Sequence, residues 1–203
     1  MIKTHLLSLL CGVLLFIPYP LLADAETSGM TQNLIPKILG DHNRCREESG
    51  ASLVELVWDE NLANFAKQYA GILLEANRHR AIEDTRLFHS SSKQRRAIDK
   101  WKPKPVGENL GYQMNSRWRD NIDQANFSAA VRQTIEAWCD EAQYYDYEKN
   151  SCQPGKMCGH YTQIVWRSTT SVGCGVAITD DGAEYFISCN YGPAGNIIGR
   201  KPF

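Results

Sequence analysis

Apolar residues recur at helical spacing in three stretches of the chain. The first extends from residue 33 to residue 50, with Asn33 as the expected N-cap and Gly50 as the expected stop. The second begins after Asp59, and the third runs from about residue 124 to residue 140. Each stretch carries one apolar stripe, so each predicted helix needs another layer to pack against.

After Cys158 the pattern changes from helical to extended. Residues 161–166, 173–179 and 184–190 are strand-like runs, and the Asp181-Gly182 pair between the last two is a strong hairpin signal. The pattern therefore predicts an α+β fold in which a three-stranded antiparallel sheet is flanked by helices. The intervening segment 77–105 is basic and weakly periodic, apart from a short helical stretch around 95–100, which is typical of a functional or mobile loop.

The N-terminus has the layout of a secretory signal peptide. Lys3 precedes an apolar run from Leu6 to Ile17, and the sequence Ala23-Asp24-Ala25 predicts cleavage after Ala25. A membrane anchor is the alternative, but 12 apolar residues are too few for a spanning helix, which needs about 20. We therefore expect residues 1–25 to be a signal peptide, residues 26–203 to form one secreted domain, and no segment to span a membrane.

Charge and cysteine content narrow the class of protein further. The formal net charge of −1 gives no electrostatic reason to expect a nucleic-acid partner. Cys11 lies in the predicted signal peptide, and six cysteines in an exported chain predict three disulfides. A zinc site would need two close cysteine pairs, and only Cys152 and Cys158 are close together. Export also makes Asn126, in Asn126-Phe127-Ser128, an expected N-glycosylation site.

The positions of the six cysteines suggest one set of pairs. The expected pairs are Cys174–Cys189, Cys152–Cys158 and Cys45–Cys139. The first pair would face each other across the Asp181-Gly182 hairpin at a hydrogen-bonded position, with Cα atoms about 5.5 Å apart. The second pair flanks a Pro154-Gly155 turn that can bring its members together. The third pair follows by elimination only, and six cysteines allow several other connectivities.

Two ordered segments near the C-terminus carry a familiar pattern. Residues 159–166 read Gly-His-Tyr-Thr-Gln-Ile-Val-Trp, and residues 185–197 read Tyr-Phe-Ile-Ser-Cys-Asn-Tyr-Gly-Pro-Ala-Gly-Asn-Ile. Further matches upstream are His42-Asn43-Arg44, His89-Ser90, Gly107-Glu108-Asn109-Leu110, and Trp138 with Glu141. Over nearly the whole mature chain the sequence resembles the CAP superfamily, which comprises cysteine-rich secretory proteins, antigen-five allergens and pathogenesis-related class 1 proteins. Its pattern is most similar to helminth venom-allergen-like and plant class 1 proteins.

The resemblance implies an α-β-α sandwich and a central cleft lined by two histidines and two glutamates. The matching residues are His89, Glu108, Glu141 and His160. Such nitrogen and oxygen ligands suit a divalent metal such as zinc or copper, and no cofactor is expected to be required. The same groups could act as general acid and base or serve structure alone. His42 is expected to be structural or solvated.

The resemblance also implies lipid binding. In relatives a fatty acyl chain lies in an apolar channel, whose walls here would be the first helix and the helix ending near Trp138. An aromatic loop that binds sterol in the family matches Tyr144, Tyr145 and Tyr147, although these side chains could equally pack as satellite core.

These features favour a secreted, non-enzymatic protein that binds and exports sterol or fatty acid. The sequence lacks a Gly-x-Ser-x-Gly elbow, a His-Glu-x-x-His helix and a free mature cysteine, so a metal-dependent hydrolase is the weaker alternative. The runner-up is a receptor-directed, immune-modulating scaffold with host receptors or immune proteins as partners. We expect a monomer or weak dimer without the C-terminal cysteine-rich domain that some relatives use on ion channels.

Overall fold

The computed structural model describes residues 22–102, 104–120 and 123–203. Most of the predicted signal peptide, residues 1–21, lies outside the described residues, whereas residues 22–25 belong to the first helix, α1 (Leu22–Glu48). Asn33 is therefore inside a helix, and the prediction that it caps the N-terminus is wrong. The preceding segment contains good helix formers, such as alanine, glutamate and methionine, which extend the helix upstream.

Two further long helices lie where the periodicity predicts them. Helix α2 (Glu60–Asn77) is capped by Asp59, whose carboxylate accepts hydrogen bonds from the amides of Asn61 and Leu62. Helix α4 spans Gln124–Asp140. The short helix expected around 95–100 is instead the single turn α3 (Ser92–Arg95), because Ser91 and Gln94 form a capping box that starts it earlier.

The central sheet has four strands rather than the three that the sequence predicts. They are β1 (Val57–Trp58), β2 (Gly107–Met114), β5 (Ser171–Ile178) and β6 (Glu184–Gly192). The strand order is β1-β5-β6-β2, with β1 parallel to β5 and the other neighbours antiparallel. Residues 161–166, predicted to be a strand, instead lie largely in helix α5 (Gly159–Ile164). A separate two-stranded sheet pairs β3 (Tyr145–Asp146) with β4 (Ser151–Cys152).

Helices cover both faces of the sheet, which makes the fold an α-β-α sandwich. Along β6, Ile187 and Tyr191 pack in the cluster that contains the apolar residues of α1 and α4, whereas Phe186 packs with residues of α2. This alternation follows from the two-residue period of a strand. Among the residues that the structure describes, no helix is long and apolar enough to cross a membrane.

All three predicted disulfides are present. The Cα–Cα distances are 5.8 Å for Cys45–Cys139, 5.7 Å for Cys152–Cys158 and 4.1 Å for Cys174–Cys189. The hairpin register that pairs the last two is as predicted, but the short separation is that of a non-hydrogen-bonded pair. The loop is wider than two residues, because the amide of Thr179 donates to the carbonyl of Glu184. Because that hydrogen bond lies one residue further from the turn than a two-residue loop would place it, hydrogen-bonded and non-hydrogen-bonded positions exchange along the hairpin. Cys174 and Cys189 therefore face each other at a non-hydrogen-bonded position.

Candidate functional site

Glu108 and His89 form the first of two histidine–glutamate pairs. Glu108 lies on β2 with its side chain 1% exposed, and its Oε1 is 2.8 Å from Nδ1 of His89, whose side chain is 61% exposed. The carboxylate also accepts hydrogen bonds from the amide and hydroxyl of Ser90, at 2.9 and 2.5 Å, and Arg95 lies 3.5 Å away. Burial alone would raise the pKa of Glu108, but the bonds from His89 and Ser90 and the charge of Arg95 outweigh it and lower the pKa. The group is therefore held as a carboxylate.

The second pair joins Glu141, just after α4, to His160 in the first turn of α5. Oε1 of Glu141 is 2.6 Å from Nδ1 of His160, and Oε2 accepts hydrogen bonds from the amides of His160 and Tyr161, at 2.9 and 3.1 Å. The carboxylate thus satisfies amides that the start of α5 leaves free. The His160 ring stacks on Trp138, with centroids 5.6 Å apart. The hydrogen bonds that Glu141 accepts from the first amides of α5 favour a helix over the strand predicted for residues 161–166.

A buried hydrogen-bond chain connects this site to α1. The side-chain amide of Asn109 donates to the carbonyl of His160 at 3.1 Å and to the hydroxyl of Tyr191 at 3.2 Å. The Tyr191 hydroxyl lies 2.9 Å from Nε2 of His42, whose Nδ1 is 2.8 Å from the carbonyl of Ile38. A carbonyl only accepts, so Nδ1 carries the proton and Nε2 accepts from Tyr191. The donors of this hydrogen-bond chain therefore all point the same way, from Asn109 through Tyr191 and His42 to the carbonyl of Ile38.

The first pair borders an open cavity of about 310 Å³, and the second pair is more enclosed. Residues lining this cavity include His89, Arg96, Glu108, Gln163 and Asn196. Within the described ranges, the only group of three potential metal ligands whose ligand atoms lie within 4.8 Å of one another is His42, Cys174 and Cys189. Those cysteines are joined in a disulfide, so that group does not bind a metal. The four predicted ligands therefore lie as two pairs, His89 with Glu108 and His160 with Glu141, and no three of them have ligand atoms within 4.8 Å of one another.

The three tyrosines of the predicted sterol loop are half-buried and packed against neighbouring chain. The Tyr145 hydroxyl donates to Asn150 at 2.7 Å, and the Tyr147 ring stacks on Phe203 with centroids 4.9 Å apart. Lys156 lies over the Tyr144 ring at 4.7 Å. The loop is therefore fixed at its aromatic positions.

A second cavity of about 460 Å³ lies between α1 and α4. Its floor contains the buried side chains of Leu34, Ile38 and Val131. Its polar rim consists of Lys37, Asp41, Arg44, Ser128 and Arg132, and Gly40 also lines it. We call this cavity the α1–α4 groove. Its walls are the two helices that the sequence predicts as walls of an apolar channel.

Comparison with known proteins identifies the family. Residues 39–191 match the model of the CAP family, described as the cysteine-rich secretory protein family. The chain belongs to the CAP family. Pathogenesis-related protein PRMS of Zea mays is 35% identical over 181 residues, which cover 89% of each chain. Pathogenesis-related protein 1B of Nicotiana tabacum is 34% identical over 176 residues, covering 87% of this chain and 84% of the relative.

Solved structures of helminth proteins share the CAP fold. Venom allergen-like protein 4 of Schistosoma mansoni superposes with a TM-score of 0.58 at 23% identity, covering 79% of this chain and 88% of that one. A crystal structure of NaASP2 with Zn²⁺ gives a TM-score of 0.55 at 24% identity and 83% coverage of each chain. The resemblance to plant class 1 and helminth venom-allergen-like proteins is therefore confirmed.

Several polar residues of this CAP site are not singled out by the sequence. Asn109 and Tyr191 lie within the matched motifs, but only the folded chain shows that they connect His42 to the backbone of His160. Gln163 accepts from the amide of Gly195 at 2.9 Å and so joins the two signature segments. The signal in each case is a polar residue in an otherwise apolar motif, because a buried polar group requires a partner.

Proposed function

We propose that this CAP protein is a secreted, non-enzymatic carrier of apolar lipids that holds a fatty acyl chain in the α1–α4 groove. The observation that carries the proposal is a cavity of about 460 Å³ with an apolar floor and a polar rim. This volume lies within the range of about 300–1,000 Å³ that ligand pockets occupy. The three disulfides suit an oxidising, extracellular environment.

The rim of the groove favours recognition of the acyl chain rather than of a charged head group. Arg44 pairs with Asp41 at 3.0 Å, and Lys37 donates to the hydroxyl of Ser128 at 3.1 Å, so these cations already have partners. Each buried CH₂ contributes about 0.8 kcal/mol, so the apolar floor supplies affinity without a strong polar anchor. Sterol binding by the loop of Tyr144, Tyr145 and Tyr147 is the second form of the proposal, since aromatic side chains with polar tips suit flat apolar rings.

A large side chain introduced at Gly40 would fill the groove without a steric clash at its Cβ. A Cβ at Gly40 would have no atom within 4 Å, and the same is true of Gly71 in α2, which lies on the other face of the sheet. We expect Gly40→Trp to weaken binding of a fluorescent fatty acid by about tenfold or more. Gly71→Trp is the matched control and should bind as wild type does.

Equal affinities of the two tryptophan variants would contradict the groove as the binding site. Native mass spectrometry of protein from a eukaryotic secretory host provides a direct check, because a bound lipid adds its mass. A parallel sterol titration compares Tyr145→Ala and Tyr147→Ala with wild type. If both variants bind sterol unchanged, the loop is not its site.

We further propose that His89 and His160 can hold a divalent metal such as zinc. Each ring contacts a carboxylate through Nδ1, so in the neutral ring Nδ1 is the donor and Nε2 keeps its lone pair. A carboxylate on the far nitrogen is the usual support of a metal-binding histidine. Calorimetric titration with zinc should give binding that His89→Gln and His160→Gln each weaken, and unchanged binding would refute this assignment.

A further inference from the structure

Two neighbouring loops expose three large apolar side chains beside the C-terminal end of β6. The exposed fractions are 99% for Ile198, 65% for Met157 and 43% for Ile197. We call these three residues the apolar tip. They are exposed to solvent, whereas the α1–α4 groove is a concave site elsewhere in the fold. A protruding apolar group of this kind calls for an explanation, because it does not contribute to the core.

The apolar tip is held in place by polar contacts on both loops. The Asn196 side chain donates to the carbonyl of Gly159 at 2.8 Å and accepts from the hydroxyl of Thr162 at 2.7 Å, which ties the second loop to α5. The amide of Arg200 donates to the carbonyl of Ile197 at 3.0 Å and closes a turn around Ile198. The Cys152–Cys158 disulfide closes the loop that carries Met157. The backbone that carries the exposed side chains is therefore held by hydrogen bonds and a disulfide.

The same two loops carry cations next to the apolar tip in sequence, and two of these cations lie over tyrosine rings. Lys156 lies 4.7 Å from the centroid of the Tyr144 ring, and Lys201 lies 4.1 Å from that of Tyr147. Arg200 is exposed and lies between Ile198 and Lys201 in the sequence. The nearby acid Glu148 is 3.9 Å from Lys201 and offsets part of its charge. Apolar side chains flanked by tyrosine, lysine and arginine are typical of groups that lie at a membrane–water interface.

We propose that the apolar tip docks this protein onto an anionic bilayer surface. Three protruding side chains present far less area than the roughly 800 Å² per partner of a specific protein interface. A bilayer interface accepts such a projection: the apolar groups enter the acyl boundary while Lys156, Arg200 and Lys201 remain at the level of anionic head groups. The proposal goes beyond lipid carriage and does not depend on the groove being occupied.

The test is co-sedimentation of the full protein with vesicles. Phosphatidylcholine vesicles containing about 30% phosphatidylserine should bind the wild type, and vesicles of phosphatidylcholine alone should bind it more weakly. Ile198→Asp should lower the partition coefficient about tenfold, since it places a charge in the acyl boundary. A double variant, Arg200→Gln with Lys201→Gln, should lose the preference for anionic vesicles but keep the weaker binding.

Ile82→Asp is the matched control. Ile82 is 50% exposed and follows Arg78, which bonds to Asp180 at 3.1 Å in the hairpin loop at the opposite end of β6. The control carries the same change in charge and should bind vesicles as wild type does. The proposal is wrong if the wild type binds neither vesicle, or if the Ile198→Asp and Ile82→Asp variants bind equally.

Two further results distinguish membrane docking from a protein contact at the tip and from lipid carriage in the groove. If Ile198→Asp abolishes a dimer seen by light scattering while no vesicle binding occurs, the tip contacts protein and membrane docking is refuted. Gly40→Trp tests the groove alone: it should leave vesicle binding unchanged, and Ile198→Asp should leave fatty-acid binding unchanged. Failure of membrane docking is therefore distinguishable from failure of lipid carriage.

Discussion

His42 is a fully buried histidine whose neutral form the structure requires. Its two ring nitrogens already serve Ile38 and Tyr191, one as donor and the other as acceptor. Burial, together with the charge of Arg46, lowers its pKa from the usual 6.5 to about 4, although the hydrogen bond to Ile38 acts in the opposite direction. If His42 were protonated, the Tyr191 hydroxyl would face two donors, Nε2 of His42 and the side-chain amide of Asn109, and would have to reorient. The connection from α1 to Asn109 therefore depends on the neutral ring.

Stability should therefore fall in mildly acidic solution. The unfolded chain binds a proton near pH 6.5 and the folded chain only near pH 4, so the contribution of neutral His42 is complete above pH 6.5 and is lost as the pH falls toward 4. The expected loss is about 3 kcal/mol in the free energy of unfolding. Urea unfolding at about pH 7 and about pH 4.5 captures most of this loss, because the remainder occurs below pH 4.5.

His42→Gln is the comparison that isolates this effect. It removes the titrating ring, so the variant should be less stable than wild type near pH 7 but should lose less stability on acidification. Asp59 and Glu108 have pKa values lowered below their usual 3.8 and 4.5, so their contributions are lost at more acidic pH. Identical losses in the two proteins would show that His42 is not the responsible group.

At the residue scale, the four site residues can be predicted from short motifs, but their pairing cannot. The motifs place His89 and Glu108 far apart in the sequence, and only the approach of the 89–95 loop to β2 joins them. The role of Glu141 as a cap for α5 is equally a tertiary contact. Periodicity carries no information about which carboxylate meets which imidazole.

The contact between α2 and the sheet is set by two glycines. A Cβ at Gly173 would overlap with backbone atoms of Asp59 and Ala63, and one at Gly175 would overlap with backbone atoms of Lys67. Backbone cannot move aside as a flexible side chain can, so α2 lies directly on β5 only because these strand positions lack a side chain. This close approach buries Leu73 and Phe186 in the same cluster.

Gly175→Ala should therefore be strongly destabilising, by about 3 kcal/mol, because the helix must move away from the sheet. Gly71→Ala is the matched control in α2, since its Cβ would have no atom within 4 Å. That change should stabilise the protein by about 1 kcal/mol through helix propensity. Urea unfolding of both variants gives the two free energies. A neutral Gly175→Ala would mean that α2 does not approach β5 this closely.

At the element scale, periodicity predicts the long helices and the hairpin but not α5 or β2. Helices α2 and α4 each have a complete apolar stripe and an aspartate N-cap. Helix α5 has six residues, too few for a helical period to be seen, and its apolar residues fit a strand equally well. Strand β2 contains two glycines and lacks alternation, so it becomes a strand only by pairing with β6.

The three disulfides act over different lengths of chain. The sequence separations are 94 residues for Cys45–Cys139, 15 for Cys174–Cys189 and 6 for Cys152–Cys158. The longest bridge joins α1 to α4, which are the two walls of the α1–α4 groove. A cross-link limits the unfolded chain more when it closes a longer loop. The Cys45–Cys139 bridge should therefore contribute most to the stability of the whole molecule.

Removing single bridges tests this order. Cys45→Ala with Cys139→Ala should lower the free energy of unfolding by about 4 kcal/mol, whereas Cys152→Ala with Cys158→Ala should lower it by about 2 kcal/mol. The first change frees the two walls of the groove to separate, so fatty-acid binding should weaken with it. The second change should leave fatty-acid binding intact, because it alters only a surface loop beside the apolar tip. If the short bridge proves the more costly to remove, local packing rather than restriction of the unfolded chain governs how these disulfides stabilise the sandwich.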